Sequence, residues 1–246
     1  MRDELEQLWA SVPVSSTVFD PAALGSMPDP ARKYLRHSIA PGTPLASAVR
    51  LRMHGEIKVG KWLPFTADEV ICSGVGYIWN ATTRAWVLPV SAKDRLVNGV
   101  GSTSIKLFGI IPYLSESGPD ISRSAAGRYA TELCWLPSAL CDPAIAWSAP
   151  DDRHAVAHLA IGEERMELTI EIDRDGRPGG VALERWVDQT GDGFEYVPFG
   201  GFVEEERTFS GFTIASRLRA GYFVGSDRFA AEGEFFRCAV DDAQYR

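Results

Sequence analysis

The 246 residues carry 33 Asp and Glu against 25 Lys and Arg, a net charge of −8. With no run of basic residues, this balance argues against binding nucleic acid or an anionic membrane, since both need a positive patch that displaces counterions. A content of 45% hydrophobic residues, with seven Trp, seven Tyr and twelve Phe, supplies a folded core and excludes a disordered chain.

The chain opens on acids after Met1, where a signal peptide needs a basic start followed by an apolar run. No stretch approaches the ~20 apolar residues of a membrane span. A cytoplasmic protein with reduced cysteines is therefore expected. Good helix formers fill residues 2–11, Pro13, Pro21, Pro28 and Pro30 interrupt, and residues 30–39 resume a helix with Tyr34 and Leu35 on its apolar stripe. From Ala46 the period changes to two. Val49, Leu51 and Met53 alternate with polar neighbours, and Gly55 marks a bend before Ile57 and Val59. Further strands are predicted at residues 65–72, 75–81, 85–90 and 102–111, separated by Gly, Asn or Lys-Asp turns, so a five-stranded antiparallel meander spans residues 46–112.

A central helix over residues 117–141 follows, entered through Ser117-Gly118-Pro119-Asp120, where Ser117 or Asp120 is placed to cap it. Projecting residues 120–137 at roughly 100° per residue sets Ile121, Ala125, Tyr129, Trp135 and Leu136 on one arc with Arg128 and Glu132 between them. Ser122, Arg123, Ala126, Gly127, Ala130 and Thr131 fall on the other side. An Arg and a Glu among aromatics must pair inside a core or point into a cavity, because an isolated buried ion is too costly.

Beyond the helix, residues 155–161 and 165–172 form a hairpin, and strands are predicted at 181–187, 194–197, 202–209, 213–218 and 234–240. This second meander covers residues 145–240. Ten or eleven strands curl or close rather than stay flat. The fold class is α+β: one domain over residues 1–246, built as a large curved antiparallel β-sheet, a half-barrel or open barrel, with N-terminal helices and one central helix packed on its concave face.

Few residues suggest chemistry on spacing. His154 and His158 sit about 13 Å apart if their run is a strand, too far to share a metal ion. His37 and His54 stand alone in the sequence. Cys134 and Cys141 are separated by about 10 Å on a continuous helix, and no Cys-x-x-Cys unit suggests zinc. Asp151-Asp152 reads as a turn, Gly99-Val100-Gly101 as a bulge, and the acids at 204–206 as a solvated loop or strand edge. The Trp residues at 62, 79, 86, 135, 147 and 186 either fill a sandwich core or line the cavity of a half-barrel.

The block Arg128-Tyr129-x-x-Glu132-x-x-Trp135-x-Pro137-x-Ala139-Leu140 resembles the signature of a bacterial family of unestablished function. Trp62-x-Pro64-Phe65-x-Ala67, Trp79-x-Ala81, Asp94, Gly99-x-Gly101, Asp151-Asp152, Arg185-Trp186 and Pro198-Phe199-Gly200-Gly201 resemble it in the same order, over about residues 28–225. Trp186, Phe199 and Ala215 depart from the pattern, where Tyr, Trp and Pro are expected. The resemblance carries no catalytic residues. Its fold pattern is similar to the half-barrels of bacterial lipoprotein carriers, an analogy of architecture.

Three functions follow as expectations. In the first, the protein is a non-enzymatic binding protein for an apolar or amphipathic small molecule such as a fatty acid, held between curved sheet and central helix. Arg128, Glu132, Tyr129, Trp135, Trp79 and Arg185 would line the site, with Arg128 meeting an acidic head group. In the second, Glu132 is a general acid or base. In the third, a sheet edge or the acids at 204–206 bind a partner protein. No catalytic residue, metal or cofactor is assigned, and a structural ion pair widened by Arg185 or Asp94 is the more usual account of Arg128 and Glu132, since such networks are mostly architectural.

Overall fold

A computed structural model describes residues 2–85, 88–189 and 191–246. Helix α1 (Arg2–Ala10) and helix α2 (Asp29–Ser38) precede six strands: β1 (Ala48–Val59), β2 (Lys61–Cys72), β3 (Gly76–Ala85), β4 (Leu88–Val97), β5 (Val100–Leu107) and β6 (Ile111–Ser117). Helix α3 (Pro119–Glu132) then leads to β7 (Ala146–Asp151), β8 (His154–Ile161), β9 (Glu164–Ile172), β10 (Pro178–Val187), β11 (Glu195–Phe209), β12 (Phe212–Tyr222) and β13 (Glu234–Tyr245).

All thirteen strands form one antiparallel sheet in the order β6-β5-β4-β3-β2-β1-β13-β12-β11-β10-β9-β8-β7. The two meanders join where β1 pairs with β13, Leu51 opposite Ala243. Strands β6 and β7 remain as edges, so the curved sheet is open. These edges are consecutive in the chain apart from the segment holding α3, and α3 therefore runs across the concave side, against β4, β5, β9 and β10.

Period-two burial explains the curvature. In β2, Phe65, Ala67, Glu69 and Ile71 face inward while Thr66 and Asp68 are exposed. The inner faces meet Tyr129, Leu136, Leu140 and Phe212 in one continuous core, and burying each such side chain contributes about 1.5–3 kcal/mol. Tyr34 and Leu35 of α2 join this core. Leu5 and Leu8 of α1 instead pack with Ala48, Val70, Cys72 and Ile78, residues of the opposite strand phase, and so cover the other face of the sheet.

Several expectations are corrected. The run at 102–111 is two strands, because a tight turn at 108–110 folds β6 back onto β5. The Lys93-Asp94 step lies inside β4, with Asp94 opposite both Trp79 and Thr103. The segments 194–197 and 202–209 form one strand, β11, through Gly200 and Gly201. A Cβ at Gly200 would lie 1.9 Å from the Val181 carbonyl oxygen, so the glycine answers close strand approach rather than a turn. The central helix is three pieces: α3 tightens into a 3₁₀ turn at Leu133–Trp135, and Pro137, which cannot continue a helix, opens another at Pro137–Cys141. Neither Ser117 nor Asp120 caps α3; Gly118 holds the cap position, and Asp120 accepts a bond from Trp186 Nε1 at 2.8 Å. Ala126, Gly127 and Ala130 on the helix's second side are buried as well, because the sheet wraps around it.

The acids at 204–206 sit within β11 and not in a solvated loop. Glu204 pairs with Arg219 at 2.8 Å, Glu205 with Arg217 at 3.3 Å and Glu206 with Arg177 at 2.7 Å. His37 and His54, isolated in the sequence, are satisfied by carboxylates, His37 meeting Glu206 at 3.1 Å and His54 meeting Asp241 at 2.9 Å. His154 and His158 share one face of β8, where His154 binds Asp151 and His158 contacts Ser148. All four cysteines are free thiols. Trp86 lies outside the described residues.

Candidate functional site

Arg128 projects from α3 toward the first meander and is met there by three carboxylates from three elements. Its Nε donates to Glu132 at 2.6 Å, one helical turn on. Its Nη1 donates to Asp94 of β4 at 2.7 Å, and its Nη2 to Glu69 of β2 at 3.4 Å. The guanidinium carbon also lies 4.9 Å from the Tyr77 ring centre and 5.0 Å from that of Trp79. Tyr77 and Thr103 donate in turn to the two oxygens of Asp94. The charges read as buried in the sequence are thus paired, and Asp94 widens the pair as considered.

Glu69 was not singled out, yet it is completely buried. Burial first, and the neighbouring Glu132 next, hold its carboxyl well above the usual carboxylate range. Burial also raises Glu132, against the opposing pull of Arg128. The Oε2 atoms of both have no hydrogen-bond partner among the described residues.

Arg185 of β10 reaches α3 from the second meander. Its stem packs on Gly127, where a Cβ would lie 3.0 Å from the Arg185 Cγ. Its Nε donates to the Ser124 carbonyl oxygen at 3.0 Å, and its guanidinium carbon sits 4.6 Å from the Phe199 ring centre. Among the described residues it forms no ion pair.

These side chains border a cavity of about 310 Å³ between α3 and the sheet, at the small end of the range for ligand pockets. Ile57, Trp79, Ile105, Trp135, Phe199, Phe236 and the backbone of Gly200 and Gly201 make its lining mostly apolar. A second, polar cleft lined by Ser115, Asp120, Ser124 and Asp188 adjoins it, and Asp94, Thr103, Arg185 and Tyr222 border both spaces. Lys93 also borders the cavity but is paired with Glu4 of α1.

Of the six residues expected to contact a ligand, Arg128, Glu132, Trp79, Trp135 and Arg185 line the cavity. Tyr129 is absent from its lining. The Tyr129 hydroxyl donates to the Cys72 carbonyl oxygen at 2.7 Å and accepts from the Gly74 N–H, tying α3 to the β2–β3 turn. Trp186 lies away from the cavity, under Arg123, and Trp62 lies under Arg237.

No curated protein matches the chain. Solved structures align with it at low identity. A domain assigned as an outer membrane lipoprotein-sorting protein from Vibrio parahaemolyticus has a TM-score of 0.40 and 8% identity, over 81% of this chain and 86% of that one. A DUF1329 family protein from Desulfovibrio piger has a TM-score of 0.44 and 12% identity over 81% and 86%. A LolA superfamily protein from Nitrosomonas europaea has a TM-score of 0.41 and 11% identity over 88% and 92%. The cytoplasmic placement expected from the N-terminal residues does not stand: acids after Met1 do not fix a compartment, and the aligned structures include a domain assigned to outer membrane lipoprotein sorting. The model of a family of unknown function, DUF6920, matches residues 25–245, and the chain belongs to that family.

Proposed function

We propose that the protein is a carrier or sensor for an amphipathic molecule with an apolar chain and an acidic head group. The chain would occupy the cavity against Trp79, Trp135 and Phe199, and the acid would meet Arg185. The observation that carries this reading is the position of Arg185: a buried guanidinium at the junction of an apolar cavity and a polar cleft, with no ion pair among the described residues. A guanidinium offers a fork of donors matched to a carboxylate or phosphate, and Nε alone is spent on Ser124. The anchoring role first given to Arg128 passes to Arg185, since Arg128 already faces three carboxylates. Glu132 serves Arg128 in this reading, and no reaction is assigned to it.

The test compares a long-chain fatty acid with the alcohol of equal length, by native mass spectrometry and thermal shift. A charge-assisted hydrogen bond contributes about 1.5–3 kcal/mol, so the wild type should prefer the acid by at least about tenfold. Arg185→Gln should erase that preference while retaining the alcohol. Equal binding of acid and alcohol by the wild type, or no binding of either, sinks the proposal.

A further inference from the structure

In the first meander, the β1–β2 and β5–β6 turns and the adjoining ends of β3 and β4 fall at the same end of the sheet, because alternate hairpins of a meander turn at alternate ends. This end is apolar and exposed. Val59, Leu88, Phe108, Ile110, Ile111 and Tyr113 stand in solvent, Ile110 and Tyr113 at 77% and 72% of their full exposure. The end of β4 and the β5–β6 turn are tied side by side, since the Phe108 N–H donates to the Pro89 carbonyl oxygen at 2.8 Å. Isolated apolar side chains on a surface need no explanation, but a cluster of this kind on protruding turns does.

The charge at this end runs against that of the chain. Lys58, Lys61, Arg84 and Lys106 are exposed here, while the protein as a whole carries −8. Lys58, Arg84 and Lys106 form no ion pair among the described residues. At the same end Glu56 shares Arg237 with Glu234, at 3.8 and 2.6 Å. Each cation sits within a few residues of an exposed aliphatic or aromatic side chain, the pairing that suits the boundary between lipid phosphates and acyl chains.

We propose that this rim, the β1–β2 and β5–β6 turns with the adjoining ends of β3 and β4, docks onto an anionic lipid bilayer, with Phe108, Ile110, Ile111 and Tyr113 entering the head-group region and Lys58, Arg84 and Lys106 meeting lipid phosphates. The binding is peripheral, since no described helix is long and apolar enough to cross a membrane. Small apolar turns inserted singly bind weakly, and the basic residues add the second attraction that stable docking requires. Ile57 and Ile105 line the cavity only two residues from the β1–β2 turn and from the end of β5. Docking would thus bring that side of the cavity toward the bilayer.

The experiment is flotation of the full chain with vesicles of phosphatidylcholine, alone or mixed with phosphatidylglycerol. Co-flotation is expected only with phosphatidylglycerol and should decline as salt is raised. An attraction of about fivefold per basic residue implies that Lys58→Glu with Lys106→Glu weakens binding at least about tenfold. Ile110→Asp with Ile111→Asp should do the same. Both pairs are exposed, in turns or at the strand ends beside them, and unchanged thermal unfolding verifies that they fold. Arg185→Gln should float like the wild type, which separates docking from ligand binding. No flotation with phosphatidylglycerol overturns the proposal, as does flotation that neither turn variant alters. Turn variants that disperse a self-associated species without vesicles also overturn it, because the rim would then join copies of the chain.

Discussion

From the first meander, β2, β4 and β5 reach α3 with Glu69, Asp94 and Thr103 and close on the Arg128 guanidinium. From the second, β10 reaches the same helix with a cation, Arg185, which receives a backbone carbonyl and an aromatic face but, among the described residues, no carboxylate. The two arginines border one cavity, so residue type and burial do not separate them; their partners do. Three carboxylates make Arg128 part of the joint between helix and sheet, where removing one member leaves uncompensated charge. A single hydrogen bond orients Arg185 and leaves most of its donors for something else. One side of the helix is thereby fixed and the other is built to receive.

The largest effect should come from Arg128→Met. It keeps the apolar stem and leaves buried Glu132 and half-buried Asp94 without their cation, which should cost about 3–5 kcal/mol in urea unfolding. A cost near zero would break the contrast, since Arg128 would then be as dispensable as a surface ion pair. Glu69→Gln sharpens the contrast through pH. A carboxyl raised well above its usual 4.5 keeps its proton in the folded chain while the unfolded chain has lost it. The folded state then binds more protons, and stability falls as pH rises from about 4.5 toward the raised folded value. One such proton contributes a slope of up to about 1.4 kcal/mol per pH unit. Gln removes it, so the variant's stability profile should be flatter, its advantage growing with pH. Parallel profiles would mean that Glu69 is ionised in the fold.

How far the site could be read from sequence follows the range of its contacts. Arg128 and Glu132 were legible because one helical turn links them and their apolar arc is local. Glu69 was also written in the chain, as the inward phase of Phe65, Ala67 and Ile71, but a lone carboxylate in that phase reads as noise until something opposes it. Asp94 was legible as a partner of the pair, but its place within a strand was hidden by local turn chemistry: Lys93-Asp94 suggests a break, and only its neighbours Trp79 and Thr103 keep it in a strand. The acids at 204–206 read as solvated because Arg177, Arg217 and Arg219 come to them through sheet pairing and the fold around it. The apolar, basic rim was invisible to a total charge of −8, since its cations come from three hairpins that only the meander sets side by side.

Two glycines give the finest test of the contrast. Gly101 of β5 faces the start of α3, where a Cβ would lie 2.7 Å from the Ser122 Cα and 2.9 Å from the Ile121 carbonyl oxygen. Backbone cannot swing aside, so Gly101→Ala should force strand and helix apart at about 1–3 kcal/mol. Gly127 faces the second meander, where the nearest atom is the Arg185 Cγ at 3.0 Å, part of a flexible side chain. There the gain of about 0.5–1 kcal/mol from Ala in a helix interior offsets the crowding, and Gly127→Ala should stay within about 1 kcal/mol of the wild type. Its signature should lie in binding: a guanidinium displaced by a few tenths of an ångström should lose part of the preference for acid over alcohol, by a few-fold. If instead Gly127→Ala unfolds the protein as readily as Gly101→Ala, the second side of the helix is as rigid as the first, and Arg185 is a strut.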